Sequence, residues 1–134
     1  MSDPAKGDPR AMLAGKRFLV LDDEFLIGFD TQNVLETAGA ASVVYVSTTA
    51  DARAAIDTGQ PFDLAVLDLL LGREGSNSLG IAEMLAKRKI PIIFITGVSG
   101  NGVHTEQFPE ATVIAKPYDA AELIAAVCET LSRR

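Results

Sequence analysis

Four apolar runs along the chain each stop abruptly on a polar group. Phe18-Leu19-Val20-Leu21 stops on Asp22-Asp23, and Leu64-Ala65-Val66-Leu67 on Asp68. Ile92-Ile93-Phe94-Ile95 stops on Thr96, and Thr112-Val113-Ile114-Ala115 on Lys116-Pro117. Runs without polar alternation read as strands covered on both faces, as in a parallel sheet. A fifth segment, Val43-Val44-Tyr45-Val46, is β-branched and aromatic and reads as the second strand in chain order.

The intervals carry helical spacing. Arg17 to Asp22 is strand one. Helix one runs from about Phe25 to Ala38, with Ile27, Val34, Leu35 and Ala38 on one face and Gly39 as its stop. Thr48 or Thr49 caps helix two, which passes Ala52, Ala55 and Ile56 to Gly59. Pro61 precedes strand three, Phe62 to Asp68. A long loop, Leu69 to Asn77, holds Gly72 and Gly75. Helix three, Ser78 to Lys87, turns Ile81, Ala82 and Leu85 inward, and Pro91 opens strand four. Gly97, Gly100 and Gly102 each cost a helix about 1 kcal/mol relative to Ala, so only a short or mobile helix is expected, at about Val103 to Phe108. Asp119 and Glu122 form a capping box for the last helix, whose stripe is Leu123, Ile124, Val127, Cys128 and Leu131. Residues 1–15 read as a flexible leader with a helical turn at Ala11 to Ala14, and residues 16–134 as one domain. Strands alternating with helices predict an α/β fold with a doubly wound parallel sheet, built from right-handed crossovers.

Composition narrows the partners. The chain has 134 residues, 48% of them hydrophobic, and a net charge of −6. That is enough for one proper core. The acidic balance argues against nucleic acid; the densest basic run is Lys87-Arg88-Lys89, at a helix end. No apolar run approaches a membrane span, and the N-terminus, with Asp3, Lys6, Asp8 and Arg10, has no signal segment. The cytoplasm is the expected location. Cys128, the single cysteine, falls on an apolar helix face and reads as a small packing residue rather than a reactive thiol. His104 reads as a surface residue, having no partner ligands in view.

Acids at strand ends sit where open α/β sheets bind ligands. If strands one and three are neighbours, Asp22, Asp23 and Asp68 converge. At about 4 Å and an effective dielectric near 20, each like-charge pair repels by roughly 4 kcal/mol. Either one acid is protonated or a cation sits among them. Hard oxygen ligands with open positions favour Mg²⁺. Such an ion would let Asp68 approach a phosphoryl group and attack it, giving an aspartyl phosphate. Lys116 adds a second positive charge, and Thr96 a hydroxyl donor. Taken singly, each feature has a plain structural reading: a helix-capping turn for Asp22-Asp23, a loop acid for Asp68, ordinary strand exits for Thr96-Gly97 and Lys116-Pro117. The ordered combination is the signal.

Leu21-Asp22-Asp23-Glu24, Leu67-Asp68-Leu69, Thr96-Gly97 and Lys116-Pro117, in this order and spacing, resemble the receiver domain of bacterial two-component response regulators over about residues 16–132. The resemblance implies a flavodoxin-like (βα)5 sandwich with strand order 2-1-3-4-5. It implies Asp68 as phospho-acceptor, Asp23 as a direct Mg²⁺ ligand, Asp22 acting through water, and the Leu70 backbone carbonyl as a further ligand. It implies Thr96 as switch hydroxyl and Lys116 as phosphate contact, aimed by a Lys116–Pro117 bond that is typically cis. The donor would be a histidine kinase or histidine phosphotransferase. A downstream protein would read the state through helix four, strand five and helix five.

Two departures stand out. Val113 occupies the place of the usual switch aromatic, three residues before Lys116; Tyr118, two residues after it, reads as a packing residue. Phe94-Ile95-Thr96-Gly97-Val98-Ser99 is similar, in part, to the FATGUY signature of an alphaproteobacterial subgroup that lacks that aromatic, whose members are often stand-alone regulators, some tied to the general stress response. Leu70 and Val98, which flank the phosphoryl position, are both apolar, so slow self-dephosphorylation is expected. The chain stops after the last helix, so the expectation is a single-domain response regulator. Related readings are a phosphate sink or shuttle and a receiver cut from a hybrid kinase. A phosphate-independent adaptor has no need of the clustered acids. An Asp-nucleophile phosphatase would want a second acid at position 70, where this chain has leucine.

Overall fold

The structure, a computed structural model, describes residues 8–97 and 105–133. Five parallel strands form the central sheet: β1 (Arg17–Leu21), β2 (Ser42–Val46), β3 (Leu64–Asp68), β4 (Ile92–Thr96) and β5 (Thr112–Ala115). Their order is β2-β1-β3-β4-β5, as expected for the flavodoxin-like arrangement. Phe18 pairs with Leu64 and Leu21 with Leu67, which sets the ends of β1 and β3 side by side. The helices are α1 (Pro9–Leu13), α2 (Phe25–Thr37), α3 (Thr49–Asp57), α4 (Leu79–Lys87) and α5 (Ala120–Ser132).

The sheet separates two apolar cores, and strand alternation assigns each residue to one of them. Leu19, Leu21, Ala65, Leu67, Ile92 and Phe94 pack with Ala52 and Ile56 of α3 and with Ile81, Ala82 and Leu85 of α4. Phe18, Val20, Leu64, Val66, Ile93 and Ile95 pack with Leu35 of α2 and with Leu123, Val127 and Leu131 of α5. Leu13 of α1 is fully buried in this second core. All five residues of β3 are buried, because strands flank it and helices cover both faces. No helix among the described residues is long and apolar enough to cross a membrane.

Local chemistry sets the helix starts. Thr48 Oγ1 accepts the Asp51 N–H at 3.1 Å, and Asp119 Oδ1 accepts the Glu122 N–H at 2.8 Å. Two differences from the sequence reading have physical reasons. The loop after β3 folds into a two-residue antiparallel ribbon, with Leu70 opposite Asn77 and Leu71 opposite Ser76. The helix expected at Val103 to Phe108 does not extend through its described part: residues 105–108 make turns, with Phe108 N–H bonded to the Thr105 carbonyl. Pro109 disfavours helical backbone at the residue before it. Phe108 instead packs edge-on to Phe94, with centroids 5.7 Å apart. Val103 and His104 lie outside the described residues, as do Val98 and Ser99.

Candidate functional site

The carboxyl end of the sheet gathers the acids. Asp22 and Asp23 follow β1, Asp68 ends β3, and the pairing of those strands sets the three residues side by side. One oxygen from each lies within 4.8 Å of the others, and all three residues are buried. Lys116 follows β5, and its Nζ donates to Asp68 Oδ2 at 3.2 Å. The same Nζ lies 3.6 Å from Glu24 Oε1. The Lys116–Pro117 peptide is cis.

Each group has an identifiable support. The Glu24 N–H donates to Asp22 Oδ1 at 2.8 Å, an Asx turn that starts α2. The Tyr45 hydroxyl, from β2, donates to the Asp22 carbonyl at 2.8 Å. Arg73 N–H, from the loop after β3, donates to Asp23 Oδ2 at 2.8 Å. Lys116 N–H donates to the Thr96 carbonyl at 2.7 Å, so the backbones of those two residues are tied. Thr31 and Tyr118 share a hydrogen bond of 2.8 Å, which pins α2 to the segment after Lys116.

Charge at the site is poorly compensated. Burial pushes the Asp22 carboxyl up to about 7, and the nearby Asp68 adds to the rise against the pull of the Glu24 amide. Burial also raises Asp68, outweighing the attraction of Lys116. Burial alone would depress Lys116, yet Asp22 and Asp68 more than offset it and hold its ammonium above the ordinary lysine value. The site thus favours an added positive charge. An all-oxygen set of this kind fits a hard divalent cation such as Mg²⁺.

The sequence-predicted residues do not all meet. Asp22, Asp23, Asp68 and Lys116 converge. Thr96 lies at the same end of the sheet, but its hydroxyl bonds the Gly97 carbonyl at 3.2 Å. Leu70 sits in the small ribbon, half-buried. Val113 is half-exposed on β5. The sequence reading assigned no role to Glu24, Tyr45 or Arg73. Glu24 adjoins the acid pair, which is a signal of sorts; the other two act through contacts across the fold. At the rim, Phe25, Leu26 and Phe29 are exposed, and Phe25 and Phe29 stack with centroids 6.0 Å apart.

Comparison with known proteins agrees with this arrangement. The family described as Response regulator receiver domain matches residues 18–128. The Phyllosphere-induced regulator PhyR of Methylorubrum extorquens is 27% identical over 114 residues, which are 84% of this chain and 42% of that protein. The chain therefore spans less than half the length of that relative. The solution structure of SdrG from Sphingomonas melonis superposes with a TM-score of 0.71 at 32% identity, over 88% of this chain and 97% of the other. A response regulator receiver protein from Sinorhizobium medicae gives a TM-score of 0.79 at 26% identity, over 88% of this chain and 95% of the other.

Proposed function

Since the chain belongs to the response regulator receiver domain family of two-component signalling, we propose that Asp68 accepts a phosphoryl group from the phosphohistidine of a histidine kinase or phosphotransferase. The observation that carries the reading is the buried Asp68 carboxylate, held by Lys116 at 3.2 Å beside two further buried acids. An Asp68 oxygen attacks phosphorus, the P–N bond to the donor imidazole breaks, and the imidazole leaves with its electron pair. Asp23, Asp22, Asp68 and the Leu70 carbonyl would hold Mg²⁺. The ion, when bound, offsets the repulsion between carboxylates and phosphoryl group. Lys116 Nζ neutralises charge developing on the phosphoryl oxygens. The Thr96 hydroxyl, now on Gly97, turns to the phosphoryl group once it is in place. Because Thr96 and Lys116 share a backbone hydrogen bond, the ends of β4 and β5 respond together and alter a surface read by a downstream protein.

Likeness to PhyR and SdrG, with the Phe94, Thr96 and Gly97 matches to the signature, supports placing the chain in the same branch of receivers. The test is intact mass after incubation with a small phosphodonor. The wild type with Mg²⁺ gains about 80 Da, the mass of one phosphoryl group, and Asp68→Ala gains nothing. No adduct and no Mg²⁺ binding in the wild type would leave a phosphate-independent adaptor as the better reading.

A further inference from the structure

The loop between β3 and α4 is held from two sides. On one side, the Arg73 N–H donates to Asp23 Oδ2 at 2.8 Å. A Cβ built on Gly72 would stand 4.0 Å from the same oxygen, so the loop backbone lies against the Asp23 carboxylate. On the other side, Glu74 reaches α3. Its Oε1 accepts the Thr49 N–H at 2.9 Å, and its Oε2 accepts the hydroxyls of Thr49 at 2.8 Å and Ser76 at 2.9 Å. Thr49 is the first residue of α3, whose leading N–H groups have no partner within the helix and favour an anion. Thr48 already serves Asp51 as the cap, which leaves the Thr49 N–H for Glu74. These donors hold the Glu74 carboxyl below its usual range. Residues 73 and 74 thus join the acid cluster to the start of α3 within one dipeptide.

We propose that Glu74 is a positioning residue for the acid cluster: by clasping the first turn of α3 it keeps the Arg73 amide on Asp23, fixes the orientation of that carboxylate, and so sets the affinity of the site for Mg²⁺. The inference rests on the reading that this cluster holds the ion. Gly72 and Gly75 flank the dipeptide, and Gly75 has a φ of +68°. Without the clasp, what restrains the turn among the described residues is the ribbon of Leu70–Leu71 with Ser76–Asn77, the Gly75 N–H on the Gly72 carbonyl at 3.3 Å, and the Arg73 amide itself. Removing a group that orients a metal ligand typically weakens binding 10- to 100-fold, and a clasp acting through one amide belongs at about tenfold.

The experiment is Mg²⁺ titration calorimetry on the full chain, with amide exchange at Arg73 measured separately in the ion-free protein. Glu74→Ala is expected to weaken Mg²⁺ about tenfold and to speed Arg73 exchange. Glu74→Gln, which keeps one acceptor oxygen, should fall between that variant and the wild type. Asp63→Ala removes the acceptor of the Arg17 N–H, a 2.8 Å hydrogen bond at the opposite end of the sheet; it should lower thermal stability and leave Mg²⁺ affinity unchanged. Unchanged affinity in Glu74→Ala, or equal weakening in Asp63→Ala, overturns the inference. A wild type that binds no Mg²⁺ overturns the underlying reading and this inference with it. Normal wild-type binding with no response to Glu74→Ala overturns the inference alone.

Discussion

Asp22 is caught between burial and charge, and its titration has a definite sign. Its folded value is about 7, against an unfolded value of about 3.9. The folded state therefore binds more protons between those limits, and stability falls as pH rises from roughly 4 to 7. Ion-free protein should melt at a lower temperature at pH 8 than at pH 6. In Asp22→Asn that difference should shrink to the part that Asp68, also raised by burial, contributes, and a difference unchanged in the mutant would assign it to other groups. Mg²⁺ binding should weaken as pH drops below about 7, because the ion then displaces a proton. Leu70 bears on a later step. It offers no side-chain hydrogen bond to an attacking water, so the aspartyl phosphate should persist for minutes. Leu70→Asn should shorten its life several-fold, and a wild-type half-life of seconds would refute the argument.

Between elements, α2 and β2 meet closely at Gly28. A Cβ on Gly28 would overlap the Tyr45 ring, and the Tyr45 hydroxyl is bonded to the Asp22 carbonyl. Gly28→Ala should displace that ring and destabilise the protein by about 1–3 kcal/mol. Tyr45→Phe should cost about 1 kcal/mol, the worth of one hydrogen bond. Denaturant unfolding reads both. This contact marks where sequence reading ends. Strand runs, the Asp119 cap and the inward faces of α3, α4 and α5 were legible because each depends on residues a few positions apart. The meeting of Asp22, Asp23, Asp68 and Lys116 was legible because resemblance supplied the strand order. Gly28 against Tyr45, Thr31 on Tyr118 and Glu74 on Thr49 join positions 17, 87 and 25 residues apart. No local periodicity encodes such pairs. The turns at 105–108 were missed because Phe108 satisfies Phe94 across the fold while Pro109 acts on its backbone.

For the molecule as a whole, an ion that binds only the folded state must stabilise it. Mg²⁺ at 100 times its dissociation constant should add about 2.7 kcal/mol to the unfolding free energy. Asp23→Ala should lose most of that gain, and a wild type whose unfolding ignores Mg²⁺ would exclude the ion from the acid cluster. The buried central strand has a separate consequence. Every residue of β3 is enclosed by neighbouring strands and by both cores, whereas Phe25, Leu26, Phe29 and Val113 stand in solvent at the rim and edge. Substitutions at Leu26 and Val113 therefore leave the two cores in place. With Asp68 as the acceptor proposed above, such outer residues are where inheritance can redraw which proteins this domain converses with, one position at a time, while that acid stays enclosed.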